Sequence, residues 1–360
     1  MVFKEPYLRN ISVKGLLCFV LIIASIGCSA QNLDNPPLIP SQPMMGITTT
    51  HTSVPSHFLP SPTITSNPTP TPIPSVNLMA VGDVMLARSV GSLIQTNGSK
   101  APFFYMDDVL SSADLTLGNL ECVISEHGEA EDKAYTFRAP PSSVESLVLA
   151  GFDLVTLANN HSLDYGTDAF KDMMDLLKSK EIAFAGAGLN ANSARGPVIL
   201  QRNGLRLAFL AYLDIPIWQY DYRTWAAGTN KPGVAWSHLV DIESDVQAAT
   251  RIADLVIVLM HFGLEGELPP TQAQIATAHT AIDAGATLVI GSHPHLLQEL
   301  EVYNGGLIAY SLGNFVFDGF TGRSNKSAIL NIVLSTEGVE EYRLIPIEIL
   351  DDGLPRLVEN

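Results

Sequence analysis

The chain has 360 residues, 46% of them hydrophobic, and 37 acidic against 20 basic side chains give a formal net charge of −17. That length and apolar content suffice for one large domain or two small ones with a buried core. The acidic balance excludes a nucleic-acid partner held by general surface charge, so an anionic substrate has to be gripped by a local feature such as a metal ion.

Residues 1–27 carry Lys4, Arg9 and Lys14 ahead of the apolar run 15–26, which is short for a membrane span and reads as a secretory h-region. Ser25-Ile26-Gly27-Cys28 closes that run, and small residues before a cysteine resemble a bacterial lipobox with Cys28 as the lipidated first residue. Ser25 is a less usual opening than Leu; cleavage near Ala30 or an uncleaved anchor are the alternatives. With Cys18 in the h-region and Cys28 at the lipobox, Cys122 is left without an intramolecular disulfide partner. Removing residues 1–27 takes away three positive charges and Glu5, which makes the mature chain −19. Residues 28–75 are rich in Pro, Ser, Thr and Asn and have no apolar period, so they read as an extended tether or as a tail with no spacing role.

A folded domain is expected over 76–350. Apolar runs at 76–81, 115–117, 154–157, 182–185, 205–212, 255–260, 288–290 and 307–310 suit strands covered on both faces. Between them, Phe170, Met173, Met174 and Leu177, and then Ile242, Val246, Ala249 and Ile252, repeat at helical spacing. A helix over 275–284 has Pro269-Pro270 before it and Gly285 after it. Residues 327–334 and 342–350 read as antiparallel strands. Strand alternating with helix predicts an α/β layered fold.

Polar residues follow the strands. Asp83, Asn119 with Glu121, Asn159-Asn160-His161, His261, and His293-Pro294-His295 each come directly after an apolar run. In an open α/β sheet the carboxyl ends of the strands share one rim, where sites are built. Pro294 keeps His293 out of helix, so the His293/His295 pair is expected to be extended, with both imidazoles on one side. Two carboxylates, an amide and four imidazoles form a mixed oxygen and nitrogen set suited to one or two divalent transition metals, Mn, Fe or Zn. Singly, Asp83 and Asn119 also read as turn residues and His261 as a half-buried core imidazole. Their dispersion over five strand ends favours a metal site.

The motifs Gly82-Asp83-Val84-Met85-Leu86-Ala87-Arg88, Asn119-Leu120-Glu121, Asn159-Asn160-His161-Ser162-Leu163-Asp164, His261-Phe262-Gly263-Leu264-Glu265, His293-Pro294-His295 and Ser311-Leu312-Gly313-Asn314 occur in this order. Together they resemble the CapA-type poly-γ-glutamate capsule synthesis family, itself similar to calcineurin-like metallophosphoesterases. The resemblance implies a two-sheet sandwich flanked by helices and a dinuclear metal centre. It implies Asp83 and His295 on a first metal, a bridging Glu121, and Asn160, His261 and His293 on a second. His161 would protonate a leaving group, with Asp164 orienting it as Glu265 would orient His261. Arg88 and Arg138 fall at family-like positions and would offer a fork to a carboxylate or phosphate, although a surface salt bridge accounts for Arg138 equally well. Asn119 and Asn314 complete the set beside the substrate or as turn caps. Met85 stands where the phosphoesterase pattern has a histidine, and Glu121 where it has aspartate.

The resulting expectation is a lipid-anchored, extracytoplasmic, metal-dependent hydrolase for an anionic capsule polymer, bearing on phosphoester or γ-glutamyl bonds beside other capsule synthesis proteins. The alternative is a binding or assembly subunit without turnover.

Overall fold

In the computed structural model, residues 73–218 and 220–358 are described; the expected signal segment 1–27, Cys28 and nearly all of the 28–75 tether lie outside them. Two sheets form the body of the fold. The first has eight strands in the order Pro355–Leu357, Gly338–Ile349, Lys326–Ser335, Ser75–Val84, Leu115–Leu120, Leu154–Thr156 and Ala183–Ala185, with Asn314–Val316 pairing alongside Ser75–Val84. Ser75–Val84 and the three strands after it in that order run parallel, while Lys326–Ser335 and Gly338–Ile349 are antiparallel. The second sheet has six strands in the order Leu300–Tyr303, Gly306–Ala309, Leu288–Ser292, Leu255–Phe262, Leu205–Asp214 and Val198–Arg202, with a parallel centre and antiparallel edges.

The near-continuous apolar runs have a simple origin. Along Leu255–Phe262, Leu255, Ile257 and Leu259 join the large apolar cluster shared with the first sheet. Val256, Val258, Met260 and Phe262 face a second cluster completed by the helices Leu239–Ala249 and Gln272–Asp283. Successive side chains point to opposite faces and both faces are covered, so neither parity can be polar. The helix Gly166–Ser179 buries Phe170, Met173, Met174 and Leu177, one stripe at 3.6-residue spacing. Gln272–Asp283 starts at a reciprocal capping box between Thr271 and Gln274 and stops before Gly285 at φ 111°.

Two boundaries differ from expectation. Leu239–Ala249 stops before Ile252, which is 49% exposed, because Thr250 already caps the helix. The antiparallel hairpin turns tightly at Thr336-Glu337, so its second strand begins at Gly338. Beyond residue 350, Pro355–Leu357 adds one more strand. Among the described residues no helix is long and apolar enough to cross a membrane.

The carboxyl end of Ser75–Val84 is pinned on both sides, Asp83 pairing with Asn119 and with Asn314. Gly82 makes this possible: a Cβ there would lie 1.9 Å from the Gly313 carbonyl oxygen, which accepts the Asp83 N–H at 2.9 Å. Gly82→Ala is therefore expected to lower unfolding stability by about 2 kcal/mol or more, as overpacking against backbone does. Denaturant unfolding checks this; an unchanged midpoint would mean that the strands need no such close approach.

Candidate functional site

Most of the polar side chains singled out above gather at the rim where the two sheets meet. Asp83, Asn119 and Glu121 come from the first sheet, and His261 and Ser292 from the carboxyl ends of Leu255–Phe262 and Leu288–Ser292 in the second. Ligand atoms of Asp83, Glu121 and His261 lie within 4.8 Å of one another, and all three side chains are buried. The resemblance implies Asp83 on one metal and His261 on another with Glu121 bridging, and the two residues do flank Glu121.

The Asn119 amide joins them. Its Nδ2 is 2.8 Å from Asp83 Oδ1, 3.0 Å from Glu121 Oε2 and 3.2 Å from His261 Nδ1. Its Oδ1 accepts from Asn159 Nδ2 at 2.9 Å, which fixes which end of the amide faces the carboxylates. Asn119 is buried at 3% exposure and orients both carboxylates and His261.

The histidines depart from the expected extended pair. His293 and His295 have φ of 100° and 53°, so the segment is a turn held in the left-handed region, with ring centroids 6.3 Å apart. Proline excludes helix at His293 but does not impose a strand. His295 Nδ1 lies 2.8 Å from Asn314 Oδ1 and 3.2 Å from Asp83 Oδ2, and its Nε2 lies 3.7 Å from Glu121 Oε1. Asn314 thus positions His295. His261 has Nδ1 at 2.9 Å from Ser292 Oγ and Nε2 at 2.7 Å from Asn160 Oδ1. Those contacts leave no place for Glu265 as its orienting partner; the exposed Glu265 instead lines a pocket of about 330 Å³ with Asn160, His293, Trp218 and Tyr222.

Arg88 and Arg138 lie together on a different pocket of about 330 Å³. Arg88 pairs with Asp318 at 2.8 Å and sits 5.6 Å from the Phe137 ring centre. Arg138 lies 4.2 Å over the Tyr165 ring and makes no carboxylate contact among the described residues, so the surface salt bridge held open for it does not form. On its other flank Phe137 stacks on the His161 ring at 4.1 Å.

His161 Nδ1 lies 2.7 Å from Asp164 Oδ2, and Nε2 lies 4.0 Å from Glu121 Oε1. Burial pushes the His161 imidazole down to about 4, against the pull of Asp164. It therefore rests neutral near pH 7, so to protonate a leaving group it must first take up a proton. Burial also holds His293 at about 3 and His261 well below the ordinary imidazole value, which leaves both neutral as a ligand must be. Burial beside Asp83 drives Glu121 well above the usual carboxylate range. Burial also opposes ionisation of Asp83, but His295 and then Asn119 outweigh it and hold Asp83 below that range.

Sequence reasoning missed Lys133, whose Nζ is 2.6 Å from Asp164 Oδ1. It follows Glu126, Glu129, Glu131 and Asp132, a run that reads as a solvated acidic face. It also missed Ser292 as a partner of His261. Cys122 is a free buried thiol, raised by burial to about 12 and so inert. Met85 is fully buried with its sulfur 3.2 Å from the Ala87 N–H, so it does not replace the missing histidine ligand.

The donor set passes an independent test for a metal. Asp83 Oδ2, Glu121 Oε1 and His293 Nδ1 are buried without a hydrogen-bond partner. Unsatisfied buried polar atoms are rare and costly in a folded interior, and a cation between the Asp83 and Glu121 carboxylates, whose ligand atoms lie within 4.8 Å of each other and of His261, would satisfy those two oxygens.

Fold and site thus define an α/β two-sheet sandwich carrying a preformed oxygen and nitrogen donor cluster at its rim. Residues 77–319 match the model of the family described as bacterial capsule synthesis protein PGA_cap, and the chain belongs to that family. It is 32% identical to the PGA biosynthesis protein CapA of Bacillus subtilis (strain 168), over 75% of this chain and 70% of that one. It is also 32% identical to the capsule biosynthesis protein CapA of Bacillus anthracis, over 79% and 69% respectively. In fold alone it is similar to a hypothetical protein from Thermus thermophilus, with a TM-score of 0.50 and 18% identity over 76% of this chain and 99% of that one.

Asn119→Leu should cost about 3 kcal/mol in chelator, since it strips the shared donor from two buried carboxylates. A saturating divalent ion should shrink that loss by supplying the missing positive partner. Equal losses with and without the ion would remove Asn119 from the centre.

Proposed function

We propose that the protein is a divalent-metal-dependent hydrolase of capsule biosynthesis, tethered outside the cytoplasmic membrane by a lipidated Cys28 and acting on an anionic surface polymer, poly-γ-glutamate first. The observation that carries the catalytic part is the approach of ligand atoms of buried Asp83, Glu121 and His261 to within 4.8 Å of one another. The names of the two Bacillus relatives support the polymer. Residues 15–26 and the small residues before Cys28 support the anchor.

Asp83, Glu121, Asn160, His261, His293 and His295 would hold the ion or ions, with Mn, Fe or Zn suited to this set. A divalent ion there supplies Lewis acidity toward a phosphoryl or acyl oxygen. The residues around it handle protons and orientation. Asn119 keeps the carboxylates apart, and Asn314 and Ser292 aim His295 and His261. Water adds to phosphorus or to an acyl carbon, the bond to the leaving oxygen or nitrogen breaks, and His161 Nε2 accepts a proton and passes it to the leaving atom. Asp164 at Nδ1 steadies the imidazole while it carries that proton. Arg88, which lies 5.6 Å from the Phe137 ring centre, and Arg138 would offer a carboxylate of the polymer charged partners.

A second reading, a capsule assembly subunit that binds without turnover, is favoured by Met85, because its buried sulfur leaves the cluster one nitrogen short.

Activity and metal content together separate these readings. His161→Ala should lower turnover of a phosphodiester or γ-glutamyl peptide by ~10²–10⁴ while leaving bound metal nearly intact. Asn160→Ala should lower both. The His161 effect should fade for substrates with good leaving groups, which need no proton. Loss of metal in His161→Ala would make it a ligand, and wild-type protein that binds metal but turns over neither substrate class would favour the assembly subunit.

Location has its own test. Cys28→Ser should free the protein from the membrane fraction or leave it unprocessed; unchanged fractionation and mass would remove the anchor.

A further inference from the structure

Lys133 is the buried charge that the account so far leaves without a task. Its side chain is 4% exposed, and a desolvated ammonium is costly unless every donor is engaged. Its Nζ is ion-paired with Asp164 Oδ1 at 2.6 Å and donates to the Asn160 carbonyl, and it lies 5.1 Å from the Tyr222 ring centre and 4.9 Å from that of Trp225. The same neighbourhood is tied a second time. Glu131 N–H donates to the Asp164 carbonyl at 2.8 Å, and Glu131 Oε2 accepts from the Tyr220 hydroxyl at 2.8 Å. A loop in an acidic run is thus fastened both to Asp164 and to the aromatic segment that walls the pocket.

The donors around Asp164 dictate what His161 can be. Oδ2 accepts the Phe137 N–H at 2.6 Å, and Oδ1 faces Lys133. A backbone amide and an ammonium only donate, so both carboxylate oxygens act as acceptors. The His161 Nδ1 at 2.7 Å from Oδ2 must then carry its hydrogen, and Nε2 is left with its lone pair toward Glu121 and the donor cluster. Phe137, stacked on the imidazole at 4.1 Å, opposes rotation of the ring.

We propose that Lys133 is a positioning residue for His161: its ammonium, caged by Tyr222 and Trp225, keeps Asp164 an acceptor on both oxygens and so holds the imidazole as the Nδ1–H tautomer with Nε2 free at the reaction centre. This deepens the reading of His161 as proton carrier and rests on it only for the effect on turnover. Without Lys133 the Asp164 carboxyl keeps only the Phe137 N–H to fix it, so it can turn and present a hydrogen-bearing oxygen to the ring, and the imidazole is no longer confined to one tautomer.

Long-range ¹H–¹⁵N spectra of the histidine side chains, recorded on the full chain, read this directly, with the His161 signals assigned by their loss in His161→Ala. The wild type should show His161 as the Nδ1–H tautomer. Lys133→Met should mix the tautomers and lower kcat by ~10–100-fold with little change in KM, as loss of an outer partner does at such sites. An Nε2–H tautomer in the wild type overturns the proposal, and so does a Lys133→Met protein with unaltered tautomer and turnover. Should Lys133→Met fail to fold, Lys133→Leu, which likewise removes the donor, gives the same comparison. Because the spectra need no substrate, unchanged turnover in His161→Ala would sink the proton-carrier reading and leave the tautomer result to decide the role of Lys133.

Discussion

Asp83 and Glu121 are buried beside each other, with no lysine or arginine in ion-pair contact with either among the described residues. Two like charges ~4–5 Å apart at an effective dielectric near 20 repel by about 3–4 kcal/mol, before the cost of removing either from water. The apo protein accommodates this by keeping Asp83 ionised beside His295 and driving Glu121 toward its protonated form. Such an arrangement persists in a marginally stable fold only where the surroundings over-determine it. Here they do so through strands paired on both sides of Asp83, the close approach at Gly82, and an amide at Asn119 whose orientation a second amide fixes.

The two sheets divide the work. The first supplies the carboxylates, and the second supplies imidazoles from strands whose two faces are both sealed by apolar side chains. Rigid elements of this kind hold ligands more closely than loops do. The exception is the His293-Pro294-His295 turn, in which two residues without glycine's freedom sit at positive φ. That strain brings both rings inward, and it is borne by contacts from Asp83 and Asn314. Arg88 and Arg138 share a pocket with Glu126, and Arg88 is paired there with Asp318.

Much of this was legible in the sequence, for a physical reason. Strands buried on both faces announce themselves as apolar runs, and the first polar residue after each run marks the rim, so Asp83, Asn119, Glu121, His261 and His293 could be placed before any coordinates existed. What was not legible is set by distance in space. Nothing in Glu126–Lys133 reveals that one lysine leaves an acidic run to enter the interior, because its partners Asp164, Tyr222 and Trp225 are remote in sequence. Proximity in sequence misled in the opposite way for Glu265, four residues from His261 yet on the pocket wall. The turn at His293 was misjudged because proline excludes helix without choosing between strand and left-handed turn.

The central claim is that the buried carboxylate pair is built to receive a cation, and the stability of Glu121→Gln against divalent ion tests it most directly. Gln matches the protonated carboxyl that the ion-free protein already favours, and it removes a ligand from the loaded one. The account therefore predicts that, by thermal unfolding, Glu121→Gln is at least as stable as the wild type in chelator. In saturating Mn²⁺ or Zn²⁺ it should be less stable than a wild type whose midpoint has risen with ion concentration. A wild-type midpoint indifferent to either ion, or a Glu121→Gln protein destabilised equally in both conditions, would contradict it.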